Sequence, residues 1–183
     1  SARVGAMAAK EMDILNVPDK RQLDSLLAAA GGLEVTESVI DSVVGILPHL
    51  TKAPFDDLRV RRALHLGIDR HGMNQVLTQG KGLIDPPGMP AVKEGWAIPP
   101  EELFRRPGFA KDKTADLAQA KQLLTEAGYP EGLKTRLTYV RSWVSAPPIV
   151  EVLQNQLAKV GVQLELQPVD TAAHNKAMST GDY

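Results

Sequence analysis

Between Asp112 and Gly181 the sequence switches back and forth between helical spacing and strict alternation, and each switch has its own punctuation. Asp112 is placed to cap a helix running to Ala127, with Leu117, Ala120, Leu123 and Leu124 on its inner face and Gly128 as its stop. Lys134 to Val140 then alternates, with Thr135, Leu137 and Tyr139 on one face, which predicts a strand. Ser145 opens a second helix whose first turn holds Pro147 and Pro148, where a missing N–H costs little. Its stripe is Ile149, Val152, Leu153, Leu157 and Val160, and Gly161 ends it. Val162, Leu164 and Leu166 alternate with Gln163, Glu165 and Gln167 in a second strand, half open to solvent. Asp170 is the cap of a last helix to Ser179, closed by Gly181. Helix, strand, helix, strand, helix in this order predicts an α/β fold with crossover connections, a sheet flanked by helices.

The first half is less regular. Met12 to Val17 reads as a short buried strand. Asp19 can cap a helix over about Lys20 to Ala30, with Leu23, Leu26 and Leu27 on one face and Gly31-Gly32 as its stop. Leu33 to Val39 alternates and reads as a strand, and Ser42 to Leu47 as another extended piece before Pro48. Pro54 then closes what precedes it, Asp56 is the expected N-cap, and Asp57 adds negative charge to the first turn of a helix. Val60, Ala63, Leu64, Gly67 and Ile68 form its apolar stripe. Arg59, Arg61, Arg62 and His65 fall off that stripe and read as a solvated face or as partners for Asp56 and Asp57. Asp69 or Arg70 opens a further short helix through Val76 and Leu77, ended by Gly80. Residues 80–111 hold Pro86, Pro87, Pro90, Pro99, Pro100 and Pro107 with glycines between them, with room for one helical turn over Glu101 to Arg105. That is too long for an ordinary connection, so it is a functional loop, a packed irregular excursion or a mobile segment. No charge-rich or Ser-rich linker marks a boundary, so residues 1–183 read as a single domain.

Composition narrows the function. No cysteine is present, which removes disulfides, thiol catalysis and thiolate metal sites. His49, His65, His71 and His174 show no metal-ligand spacing, so no metal is expected. Walker, dinucleotide-binding and G-x-S-x-G motifs are absent, so no cofactor is expected either. A net charge of -1 argues against nucleic acid. No apolar run is long enough for a transmembrane helix, and Ser1 to Lys10 does not have the make-up of a signal peptide.

Four motifs, in order, carry a resemblance. Lys52-Ala-Pro-Phe-Asp-Asp-Leu-Arg-Val-Arg-Arg-Ala-Leu64 with Ile68-Asp-Arg70 comes first. Ala120-Lys-Gln-Leu-Leu-Thr-Glu-Ala-Gly-Tyr129 with Pro130-Glu-Gly132 follows, then Gln156-Leu-Ala-Lys-Val-Gly-Val162, then Leu166-Gln-Pro-Val169 with Thr180-Gly-Asp-Tyr183. Together with the opening segment Met7 to Val17 they resemble the family 5 extracellular solute-binding proteins, the dipeptide, oligopeptide and nickel receptors of ABC importers, over essentially the whole chain. The chain departs from the family at His49, where asparagine is usual, at Thr171-Ala172, where tryptophan often follows the strand, and at Ala9-Lys10-Glu11-Met12.

The resemblance implies one lobe, the second, of a type II periplasmic-binding-protein fold, a mixed sheet flanked by helices, cut from a longer two-lobed receptor. It implies a binding protein and not an enzyme. Its ligand would be a peptide or another small polar solute held in an interlobe cleft, with this chain as one wall and weak affinity in the isolated lobe. The intact receptor would work with an ABC permease in the periplasm, or anchored to the outer side of the membrane, with its export signal upstream of Ser1.

Ligands of open α/β sheets bind beyond the carboxyl ends of the strands. That points to the loop after the Lys134 to Val140 strand, with Arg141, Ser142, Trp143, Val144 and Ser145. Arg141 is suited to a carboxylate, Trp143 to an aromatic wall, and the following helix N-terminus to an anion. In peptide-binding members of the resembled family an arginine near this loop holds the ligand carboxylate. A surface arginine and a tryptophan packed on the proline loop is the competing reading. Trp96 is a second candidate wall, with packing as its alternative. Asp170 is suited to a ligand amine or to an ordinary N-cap. Two other functions compete with transport: a hydrolase-type enzyme built on Ser142 and a distant histidine, and an interaction module using the proline loop.

Overall fold

The computed structural model describes residues 2–17, 20–37, 45–84, 98–143 and 145–183. Its contacts divide the chain into two units, Ser1–Val39 and Ile40–Tyr183.

In the first unit α1 (Ala2–Ala8) packs against α2 (Lys20–Ala29). Val4 and Leu26 are buried, but Leu27 is exposed, so the inner face of α2 is narrower than its leucines suggest. Two expected strands do not form. Met12 to Val17 carries no strand, and Ile14 is 86% exposed. Leu33 to Glu37 is also irregular. Alternation makes a strand only where a neighbour takes up its backbone hydrogen bonds, and neither segment has a ladder partner among the described residues. The proposed cap Asp19, Ser38-Val39 and the first half of the Ser42 to Leu47 piece lie outside the described residues, and its second half, Gly45 to Leu47, is irregular.

The second unit follows the expected alternation closely. After α3 (Leu58–Gly67), α4 (Arg70–Thr78) and the single turn α5 (Pro100–Leu103) come α6 (Thr114–Glu126), β1 (Leu133–Val140), α7 (Ala146–Ala158), β2 (Val162–Val169) and α8 (Thr171–Thr180). β1 and β2 pair in parallel from Leu133↔Val162 to Val140↔Val169. The sheet expected to be mixed is therefore, among the described residues, two-stranded and parallel, with α7 as the crossover that parallel pairing requires. Helix α7 packs on the sheet, α6 on α3, and α8 on β1. The shared core joins Val60, Leu64 and Leu66 of α3, Ala120 and Leu124 of α6, Leu153 and Leu157 of α7, and Leu133, Val162 and Leu164 of the strands. At the sheet's amino end Gly132 has φ +97, and a Cβ there would come within 2.5 Å of the Gly161 carbonyl oxygen, which accepts the Leu133 N–H. Only glycine fits so close an approach in that conformation.

Three polar details set the helix positions. Asp57, not Asp56, is the α3 N-cap; its carboxylate accepts the Arg59 N–H at 2.7 Å. Asp56 instead belongs to the preceding turn, where its N–H donates to the Lys52 carbonyl. Arg59 also donates from its side chain to Asp57 at 2.6 Å and to the Glu126 carbonyl at 2.7 Å, pinning the start of α3 to the end of α6. These bonds from Arg59 hold the Asp57 carboxyl below its ordinary value. Buried Gln156 of α7 grips the α3–α4 corner with both ends of its amide, accepting from Asp69 N at 2.9 Å and donating to Asp69 O at 3.0 Å. His49 ties the start of the unit to its end: Nε2 donates to the Gly181 carbonyl at 3.0 Å, and Lys52 donates to the same oxygen at 3.1 Å.

Candidate functional site

The carboxyl ends of β1 and β2 finish level, because Val140 is paired with Val169 and Arg141 N–H donates to the Val169 carbonyl at 3.0 Å. Arg141 and Asp170 therefore leave the sheet side by side. An open concavity lies there, walled by Arg141 and Ser142 on one side and by Pro168 to Ala173 on the other. The hydroxyls of Ser142 and Thr171 sit 3.4 Å apart across it.

Arg141 is exposed, and its guanidinium has no hydrogen bond or ion pair among the described residues. Asp170 is also exposed, and one of its oxygens accepts the Ala173 N–H at 2.7 Å as the α8 N-cap. The cap reading of Asp170 therefore holds, and its carboxylate has no cation partner among the described residues. A tight turn fixes the Trp143 backbone: its N–H donates to Val140 O at 3.2 Å, and its carbonyl accepts from Ala146 N at 2.9 Å. The Trp143 ring is 52% exposed and stands edge-on to His174, with centroids 5.4 Å apart and an interplanar angle of 70°. The concavity thus brings together an arginine unpaired among the described residues, a capping carboxylate and two hydroxyls, with the Trp143 ring adjoining in sequence and outside its lining. Trp96 and Val144 lie outside the described residues.

One expected contribution is weak. Ser145 does stand at the N-cap of α7, but its side chain makes no capping bond. The Ala146 N–H is spent on Trp143 O, and Pro147 and Pro148 have none, so the start of α7 offers an anion little. His174 is the member that sequence reasoning missed. It lies four residues after the Asp170 cap, one helical turn on, and reaches the strand ends through its ring contact with Trp143, outside the lining of the concavity itself. Ser142 bonds to a hydroxyl and not to an imidazole, so the serine–base pair of a hydrolase is not assembled among the described residues. No group of three His, Asp or Glu side chains suited to a metal occurs among the described residues, and no helix among them is long and apolar enough to cross a membrane.

Comparison with known proteins agrees with this architecture. The profile of the family described as bacterial extracellular solute-binding proteins, family 5 Middle, matches residues 1–183. The glutathione-binding protein GsiB of Salmonella typhimurium is 30% identical over 146 residues, spanning 80% of this chain and 26% of GsiB. The di/tripeptide-binding protein 1 of Pseudomonas aeruginosa is 28% identical over 100% of this chain and 33% of its own length. Among solved structures, the murein tripeptide binding protein MppA of Escherichia coli superposes with a TM-score of 0.60 at 30% identity, covering 74% of this chain and 26% of MppA. The oligopeptide-binding protein AppA of Bacillus subtilis, solved with a nonapeptide, gives a TM-score of 0.70 at 22% identity over 97% of this chain and 36% of AppA, a likeness of fold. The chain spans about a quarter to a third of the length of these relatives. With the profile matched from end to end and the periplasmic-binding-protein fold shared, the chain belongs to the family 5 bacterial extracellular solute-binding proteins.

Proposed function

We propose that this chain supplies one wall of the ligand cleft in the solute-binding component of an ABC importer, and that its ligand is a short peptide or peptide-like solute. The observation that carries the reading is that exposed Arg141, whose guanidinium has no partner among the described residues, and exposed Asp170 line one concavity at the strand ends, with exposed Trp143 two residues on from Arg141. A short peptide presents a carboxylate, backbone N–H groups or an amine, and a side chain. Arg141 would take the carboxylate in a forked pair, Asp170 the donor, and Trp143 the side chain. The named ligands of the relatives, glutathione and di- or tripeptides, have this chemistry.

The opposite wall comes from elsewhere in the receptor, and closure by hinge motion excludes water from the ligand. The chain by itself makes part of the contacts and binds weakly. The receptor acts outside the cytoplasm and delivers its ligand to a permease, and it carries out no catalysis.

Isothermal titration of the receptor containing this chain, with di- and tripeptides, tests the reading. Arg141→Ala is expected to raise Kd about 10- to 100-fold, the loss of a hydrogen-bonded charge pair. A peptide amidated at its carboxyl end should lose a comparable amount on the unaltered receptor and nothing further on the variant. Unchanged affinity in Arg141→Ala would remove the strand-end site from the binding surface.

A further inference from the structure

Away from the strand ends, the corner between α3 and α4 holds the chain just after α5 by three consecutive carbonyls. His65 Nε2 donates to Pro107 O at 3.0 Å, Arg70 donates to Gly108 O at 2.6 Å, and His71 Nε2 donates to Phe109 O at 2.9 Å. Buried Asp116 accepts the Gly108 N–H at 3.0 Å from the other side, and buried Lys113 pairs with that same carboxylate. The rings close the arrangement: the Arg70 guanidinium lies 4.5 Å from the Phe109 centroid, His65 stands edge-on to Phe109, and His71 edge-on to Phe104. Gly108 has φ +83, and a Cβ there would come within 2.3 Å of the His65 ring. The segment is therefore shaped to receive the imidazole.

One bond in this cluster fixes the state of His65. Arg70 Nη2 lies 3.1 Å from His65 Nδ1. Arginine can only donate, so Nδ1 must be the acceptor, and Nε2 must carry the hydrogen given to Pro107. The cluster as built requires a neutral His65. Protonation at Nδ1 would replace that hydrogen bond with two cations 3.1 Å apart. Among the described residues, the charged groups acting on His65 are Arg70 from α4 and Lys113 and Asp116 from the start of α6. We propose that this cluster is a pH-operated clamp, which neutral His65 closes on Pro107–Phe109 and which protonation of His65 opens.

The direction follows from linkage. Burial holds His65 below its ordinary value of 6.5; the Pro107 carbonyl and the Asp116 carboxylate pull the other way, and the charges of Arg70 and Lys113 add to the depression. A released His65 binds its proton more tightly than a clamped one, so acid favours release. The closing constant is full above the ordinary imidazole value. It falls about tenfold per pH unit between that value and the depressed one.

The test is an NMR titration of the chain, following the His65 imidazole together with the Gly108 and Phe109 amides. A His65 midpoint below 6.5, with the two amides moving at the same midpoint, is the expected result. His65→Gln keeps a donor for Pro107 without a titrating charge, and in it the amide transition should vanish. A His65 midpoint at or above the ordinary value, amides that do not follow His65, or a transition that survives in His65→Gln would each overturn the clamp. Should the variant not fold, the coincidence of midpoints in the unaltered chain decides the matter.

Discussion

Asp116→Ala is expected to destabilise the chain by about 3–5 kcal/mol, a loss typical of breaking a buried ion pair from one side. Lys113 and Asp116 are both buried, and their charged atoms meet at 2.5 Å. Removing the carboxylate leaves the Lys113 ammonium without its counter-charge in a place water reaches poorly, and it also strips the acceptor from the Gly108 N–H. Removing both charges is a different experiment. A Lys113→Met/Asp116→Leu variant should recover much of the loss, because apolar side chains of similar size need no counter-charge. Urea unfolding reads both, as a lower midpoint with an unchanged m value for the single variant and a partial return for the double. Equal losses in the two variants would mean that the Gly108 contact, and not the orphaned charge, carries the energy.

The second large effect is expected at Leu157, where Leu157→Ala should cost about 4–5 kcal/mol, the upper part of the range for buried leucines. Leu157 is fully buried and belongs to the core shared by α3, α6, α7 and the sheet. The cost of such a truncation depends on how far the neighbours can close the hole, and here they are held. A Cβ on Gly67 would already lie 3.0 Å from both Leu157 and Val160, so α3 has approached α7 as far as glycine permits. The Gln156–Asp69 amide grip fixes the same corner one residue away. Thermal unfolding with calorimetry measures the effect, and a loss under about 2 kcal/mol would mean that the two helices close the gap after all.

What was legible in the sequence follows from how local each signal is. The β1–α7–β2–α8 run could be read because its periods, prolines, glycines and the Asp170 cap act within a few residues of themselves. Met12 to Val17 misled because an apolar run shows the wish for a strand and not the presence of a partner. Asp56 and Asp57 are equally good capping residues, and the tertiary turn at Lys52 chose between them. Arg59 was legible as a partner of Asp57, two residues away, whereas its bond to Glu126 was not.

His65 shows the limit best. Its place off the apolar stripe reads as a solvated position. In the fold it meets Pro107 and Gly108, which a helical period cannot announce. At the strand ends, Arg141, Ser142 and Asp170 could be assembled from topology alone, since parallel strands must finish together. The contact of His174 with the Trp143 ring needed the helix register as well.

The central claim is that the ends of β1 and β2 form a ligand surface. The most direct test is a titration of the isotope-labelled chain with a tripeptide, followed residue by residue by NMR up to millimolar concentration. The account predicts fast-exchange shifts that grow with peptide concentration at Arg141, Ser142, Trp143 and Asp170 to His174, and that shrink in Arg141→Ala. Shifts confined to other faces of the chain, with the strand ends unmoved, would contradict it.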